Sequence, residues 1–163
     1  EINLGSYELL LTMPVSFLDI IFGKFLAALS LTAICLAPTI FYPIAISFLG
    51  QLDLGPVIGG YLGALLLGAA FSAIGLFASA LTRNQIVALL IGVTITLLLC
   101  LSNIITIFVS LPDSILGFVQ YAGADYHFEN IARGIIDTRD ILYFITICFL
   151  ALFGTQLVMQ EKK

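Results

Sequence analysis

Charge is what this 163-residue chain has least of. Only 10% of its residues are Asp, Glu, Lys or Arg, against 61% hydrophobic and a mean hydropathy of +1.16. Soluble globular domains carry about 25% charged residues, and a water-soluble fold of this length cannot cover so much apolar surface. The chain is therefore an integral membrane protein. Its six basic residues are scattered singly or in pairs, and at a net charge of −4 they form no patch for nucleic acid. No Gly-x4-Gly-Lys-Ser/Thr phosphate loop occurs, and Gly23-Lys24 lacks both the preceding glycine and the hydroxyl. The chain does not hydrolyse nucleotide by itself. No Ser–His or paired-Asp arrangement lies within the apolar runs, which leaves an intramembrane protease without its catalytic groups. Cys35, Cys100 and Cys148 each fall inside an apolar run, where they act as small hydrophobes. The one histidine, His127, stands between Asp125 and Glu129, but the spacing matches no zinc pattern. No metal or other cofactor is expected in this chain. It begins at Glu1 in mid-pattern and reads as a piece of a longer protein, so the lack of a signal peptide carries no information.

What is present is a series of long apolar runs. Four reach or approach the roughly 20 residues that cross the hydrocarbon: about Leu18 to Phe48, Val57 to Leu81, Ile86 to Val109 and Ile141 to Met159. The expected fold is an all-α polytopic membrane bundle in a single domain. Lys24 lies near the start of the first span, where it can snorkel to the headgroups. Pro38 and Pro43 should kink that span or end its regular part early. Pro56 is placed for the first turn of the second span. Small residues recur every four positions along that span, at Gly60, Ala64, Gly68 and Ser72, and Gly59 with Gly63 repeats the spacing. In lipid such rows let helix backbones approach closely; they serve packing within the bundle, or else line a substrate path. Thr82-Arg83-Asn84-Gln85 makes a tight polar turn into the third span. Asn103 in that span needs a partner, in another helix or a wet cavity.

The opening stretch, residues 4–16, is too polar for hydrocarbon and too apolar for a solvated loop. Ser6 can cap a short helix through Met13, with Glu8 in its first turn where the dipole favours an acid. Pro14 ends it, and Ser16 with Asp19 has the spacing of a capping box for the descent into the bilayer. Tyr7, Leu10, Leu11 and Pro14 fall on one side of the short helix, and Glu8 and Thr12 on another.

Residues 112–140 mix polar and apolar segments. Ser114 to Tyr121 suits a segment that dips partway into the membrane or lies along it. Ala122-Gly123-Ala124 breaks it, and Asp125 is expected to cap a second short helix through Arg133 before Gly134. With the opening segment on the cytoplasmic side, Lys24, Arg83, Lys162 and Lys163 lie on or near that side. Arg133 and Arg139 lie outside, a modest positive-inside bias. Both ends of the chain then face the cytoplasm.

The runs YELLLTMPVS…GKFLAAL, GPVIGGYLGALLLGAAFSAIGLFASALTRNQIVA and HFENIARGIIDTRD resemble permeases of the type-2 ABC exporter family. The closest group is the gliding-motility-associated permeases. The resemblance covers essentially the whole chain in order, with Gly59 to Ala88 and His127 to Asp140 its most specific parts. It implies a bacterial inner-membrane permease of six spans, of which this chain looks like the last four. The segment Ser6 to Ser16 is similar to the coupling helix that docks on a nucleotide-binding subunit. Tyr7, Glu8, Leu11, Thr12, Pro14, Val15 and Ser16 would carry that contact, with Arg83, Asn84 and Gln85 as a second cytoplasmic turn. The region containing His127, Phe128, Glu129 and Arg133 resembles the extracytoplasmic re-entrant helices that cap the translocation path. The resemblance also implies a permease dimer, homo- or heteromeric, with ATP and Mg on partner ATPase subunits.

The rival class is an ATP-independent channel or a structural membrane subunit. A pore needs no amphipathic docking element on one face, so the opening segment discriminates. A secondary transporter usually needs ionisable groups at the midplane, and none stands deep within these spans. The transported substrate is not encoded in any motif.

Overall fold

The computed structural model describes residues 17–108 and 113–161, and every regular element among them is helical. The opening segment through Ser16, with its expected coupling residues, lies outside the described residues. The first span is α1 (Phe17–Leu36), a 3-10 turn (Ala37–Ile40) and α2 (Phe41–Ser47). Asp19 in the first turn of α1 complements the helix dipole. The break comes where Pro38 enters at the start of the 3-10 turn and removes an N–H from the ladder. The Thr39 hydroxyl covers the loosened end, donating to the Leu36 carbonyl at 2.7 Å. It also meets the Tyr61 hydroxyl at 2.9 Å, so the kink is tied to the second span.

That second span is α3 (Leu54–Leu81). It starts three residues before its expected bound, because the Asp53 carboxylate caps it by accepting from the Gly55 N–H at 3.0 Å. At its far end Thr82 turns extended. Asn84 caps α4 (Gln85–Phe108), its side-chain oxygen accepting from the Ile86 N–H at 3.0 Å. Two short helices follow, α5 (Asp113–Ala122) and α6 (Ala124–Ala132), and then the last span, α7 (Thr138–Glu161). The break falls at Gly123 as the sequence suggests, but Asp125 is not the cap. Gly123 occupies the cap position with no side-chain bond, and Asp125 sits inside the first turn of α6. The reason is local: Ala124 already has helical geometry, so the carboxylate lies too far into the turn to reach the first free N–H groups. Gly134 ends α6 at φ +85°, its N–H donating to Ile131 and that of Ile135 to Asn130. This is a Schellman close, which a side chain at that φ would strain.

Among the described residues, four helical segments are long and apolar enough to cross a membrane: Leu18–Ser47, Leu54–Leu81, Gln85–Ser102 and Thr138–Glu161. The chain is a multi-pass membrane protein. Of these segments α3 is central. Within its most apolar window 28% of the residues are buried inside the protein, against 6–11% for the others, and it touches α1, α4, α6 and α7. Its inward residues are small, including Gly63, Ala70, Ala73 and Ala78, and the core closes over them with Ile131, Phe144 and Ala151. Leu31, Ile34, Phe41, Leu89, Leu98 and Phe149 are exposed on the outside of the bundle, the apolar surface that a membrane-spanning chain presents.

The order of spans puts the 82–84 turn at one end of the bundle and the 48–53 and 133–137 connections at the other. Single cysteines at Asn84 and Asp137, both exposed, in a chain without its native thiols should therefore label from opposite membrane faces. Labelling of both from one face would break the four-span topology.

Candidate functional site

The pair α5–α6 is built into the bundle rather than laid across it. Gly134 rests on Gly55 and Pro56, the Ile131 carbonyl on Gly59, and the Phe128 ring against Gly63. From Gly55 to Gly63 is about 12 Å along a helix axis at 1.5 Å per residue, so α6 dips well below the end of α3. The close approach depends on glycine. A Cβ on Gly59 would fall well inside contact distance of the Ile131 carbonyl oxygen, and one on Gly63 would lie 3.2 Å from the Phe128 ring. On the other side the break at Gly123 presses on Ser102 of α4, whose hydroxyl donates to its own Leu99 carbonyl at 3.1 Å.

At the centre of this joint is His127, fully buried. Its Nε2 lies 2.9 Å from the Tyr121 carbonyl oxygen and its Nδ1 lies 2.6 Å from Oδ1 of Asp140. A carbonyl only accepts, so Nε2 carries a hydrogen. The contact with Asp140, itself only 4% exposed, is a hydrogen bond only if a second proton lies between Nδ1 and Oδ1. Imidazolium with carboxylate, or imidazole with carboxylic acid, satisfies both contacts, and either arrangement is neutral overall. Neutrality is what burial demands of such a pair. The imidazole stacks on the Tyr143 ring at 4.0 Å, and the Tyr143 hydroxyl donates to the Ala122 carbonyl at 2.6 Å. His127 and Tyr143 thus hold the last two carbonyls of α5, orphaned by the break at Gly123. Tyr121 and Tyr126 close the imidazole edges.

The other residues singled out in this region sit apart from the buried pair. Phe128 packs on Gly63, while Glu129 pairs with Arg133 one turn on, at the exposed surface. Nothing in the spacing of DYHFE signals Asp140 as the histidine's partner. It stands 13 residues later, across the Gly134 turn, and reads in sequence as one more loop carboxylate. The available signal was a lone histidine followed by a carboxylate at the start of an apolar span, where neither can be left unpaired.

The row of small residues on α3 divides. Gly60 and Ala64 face an open apolar groove of about 380 Å³, shared with Leu36, Tyr42, Pro43 and Val57. Gly68 meets α1, a Cβ there lying 2.7 Å from Cγ2 of Thr32. Ser72 is half-buried. The tightest backbone approach belongs to the neighbouring Gly59 and Gly63, because it is their face that α6 covers. In the opposite turn Arg83 is exposed and Asn84 serves as a cap. Gln85 lines a second groove, between α3 and α4, with Gly75, Ser79, Ala88, Gly92 and Thr96.

Residues 1–115 match the family model described as ABC-2 family transporter protein. The match takes in the opening segment and the spans through α4, while His127, Asp140 and Tyr143 lie beyond it. Searches of curated proteins and of solved structures found no match.

Proposed function

The chain belongs to the ABC-2 family of transporter proteins, as a multi-pass membrane permease component, and on that premise we propose that it works in ATP-driven export. In this reading the spans α1–α2, α3, α4 and α7 form part of a translocation path in a bacterial inner membrane, with both ends of this chain cytoplasmic. Hydrolysis takes place on a separate ATPase subunit that binds ATP and Mg, and two permeases, alike or different, face each other. Within that family the proposed group is the gliding-motility-associated permeases, which the sequence resembles. The observation that carries the reading is the family match across the opening segment and three of the spans.

Coupling to an ATPase needs a polar contact on the cytoplasmic face, and the opening segment supplies the candidates. In sequence these are Tyr7, Glu8, Leu11, Thr12, Pro14, Val15 and Ser16, with Arg83, Asn84 and Gln85 as the second cytoplasmic turn. If Glu8 meets a basic group on the ATPase, Glu8→Lys places like charges together at an interface. That costs several kcal/mol, and about 1.4 kcal/mol is already a tenfold loss of binding. Expected, therefore, is normal insertion with at least roughly tenfold weaker ATPase association, partly rescued by an acidic substitution in the partner. Pull-down of the ATPase at matched membrane levels of wild-type and Glu8→Lys permease checks it. Unchanged association would remove Glu8 from the interface. Failure of any ATPase to co-purify with the wild type would remove the coupling itself.

A further inference from the structure

His127 and Asp140 join two elements through a proton that neither side chain holds alone. We propose that this proton is a bound ligand of the protein: it latches the α5–α6 pair to α7, and its loss releases them. The inference goes beyond the transport reading and does not depend on an ATPase.

The argument is a count of donors. Two contacts need hydrogens, Nε2 to the Tyr121 carbonyl at 2.9 Å and Nδ1 to Asp140 Oδ1 at 2.6 Å. Remove one proton and a single hydrogen remains for both. If it stays on Nε2, the Nδ1 lone pair faces a carboxylate. If it moves to Nδ1, the Nε2 lone pair faces a carbonyl. Either way one hydrogen bond becomes a lone-pair clash, and a net negative charge is left in a buried site. Opening the joint returns both groups to water. The closed state binds one more proton than the open state, so rising pH favours opening. Acidification keeps both donors in place.

The surroundings leave this proton no other holder. On α7 the neighbours are Tyr143, whose hydroxyl is committed to Ala122, and the exposed Asp137 and Arg139 at the helix start. On α6 they are Tyr126, Asp125 and the exposed Glu129–Arg133 pair; on α5, Tyr121. From α4 the titratable neighbour is Cys100, a half-buried free thiol. The face of α3 against α6 presents Gly59 and Gly63 and no titratable group among the described residues.

The test uses spin labels on cysteines at Gly117 and Leu157, both exposed, in the full chain in lipid vesicles, with Cys35, Cys100 and Cys148 replaced by alanine. Gly117 reports α5 and has open space at its Cβ position; Leu157 reports α7. Across a pH series, the wild-type distance distribution is expected to gain a second component as the pH rises. Its population should rise roughly tenfold or more, the worth of one hydrogen bond to a charged group. Asp140→Asn substitutes an amide N–H that donates to Nδ1 of a neutral imidazole while Nε2–H stays in place, so one distance should persist across the series. Asp140→Leu removes the partner and should show the second distance throughout. If the leucine variant does not fold, wild type against Asp140→Asn decides alone. A wild-type distribution that ignores pH, or an asparagine variant that follows pH as the wild type does, would overturn the proposal. His127 is the only histidine, so ¹⁵N-histidine NMR reads its ring directly. Ring titration without the distance change at the same pH would also overturn it.

Discussion

Gly59→Ala is expected to destabilise the protein by about 3 kcal/mol, the upper end of what one inserted methyl group costs in a packed interior, while Gly60→Ala leaves stability nearly unchanged. The two glycines are adjacent on the same helix, so their intrinsic propensities are equal. What differs is the neighbour. The added carbon at position 59 would meet the Ile131 carbonyl, which is backbone and cannot swing aside, and then Cα of Gly134 at 3.2 Å. Either α6 moves off α3 or α3 bends, and Ile131 and Phe144 lose core contacts in both cases. At position 60 nothing lies within 4 Å, because that side faces the apolar groove. Thermal unfolding of the two variants in detergent, beside wild type, measures the difference. Equal melting would mean that α6 does not lie on the Gly59 face.

The second large effect concerns charge rather than volume. His127→Ala should cost about 3–5 kcal/mol, because it leaves the buried Asp140 carboxyl without its hydrogen-bond partner. Arg133→Ala, six residues on, should stay within about 0.5 kcal/mol. Both residues belong to the run HFENIAR and both have an acidic partner. The Arg133–Glu129 pair is exposed, with side-chain accessibilities of 66% and 50%, so water replaces whatever is lost. Asp140 has no such recourse, since its side chain is 5% exposed and its hydrogen-bond partner is the imidazole. His127→Ala also frees the Tyr121 carbonyl and the stacked face of Tyr143. The same unfolding measurement, run on both variants at one pH, separates the cases; a His127→Ala loss no larger than that of Arg133→Ala would show that the pair contributes no stability.

These two predictions rest on different kinds of information. That residues 57–81 form one membrane-crossing helix follows from composition and length alone, because a backbone in hydrocarbon must satisfy its own hydrogen bonds. So does the break near Pro38, where the missing N–H is a property of the residue itself. The turns at Asn84 and Gly134 are of the same kind, being set by a side chain or a φ value within a few positions. Rows of glycine and alanine on α3 likewise announce close packing. They do not say which row is covered, for Gly59/Gly63 and Gly60/Ala64 have the same spacing and differ by only one step around the helix. That choice was made by α6, an element more than 60 residues further along the chain. The pattern of the opening segment gives a short surface helix; its coupling role is what the family resemblance implies, and it stands as a proposal on that footing.

By itself, then, the sequence determined the medium, the apolar runs long enough to cross it and the breaks near Pro38, Thr82 and Gly123, since these depend on hydropathy and on hydrogen bonds closed within a few residues. Only the tertiary structure decided that Asp140 pairs with His127, that the carbonyls of Tyr121 and Ala122 are held by side chains of later helices, and that Gly59 must remain glycine. The physical reason is range. Solvation and helix hydrogen bonding act on each residue where it stands. A buried ion pair or a glycine contact exists only after distant segments have been brought within a few ångströms, and no local pattern records which segments those are.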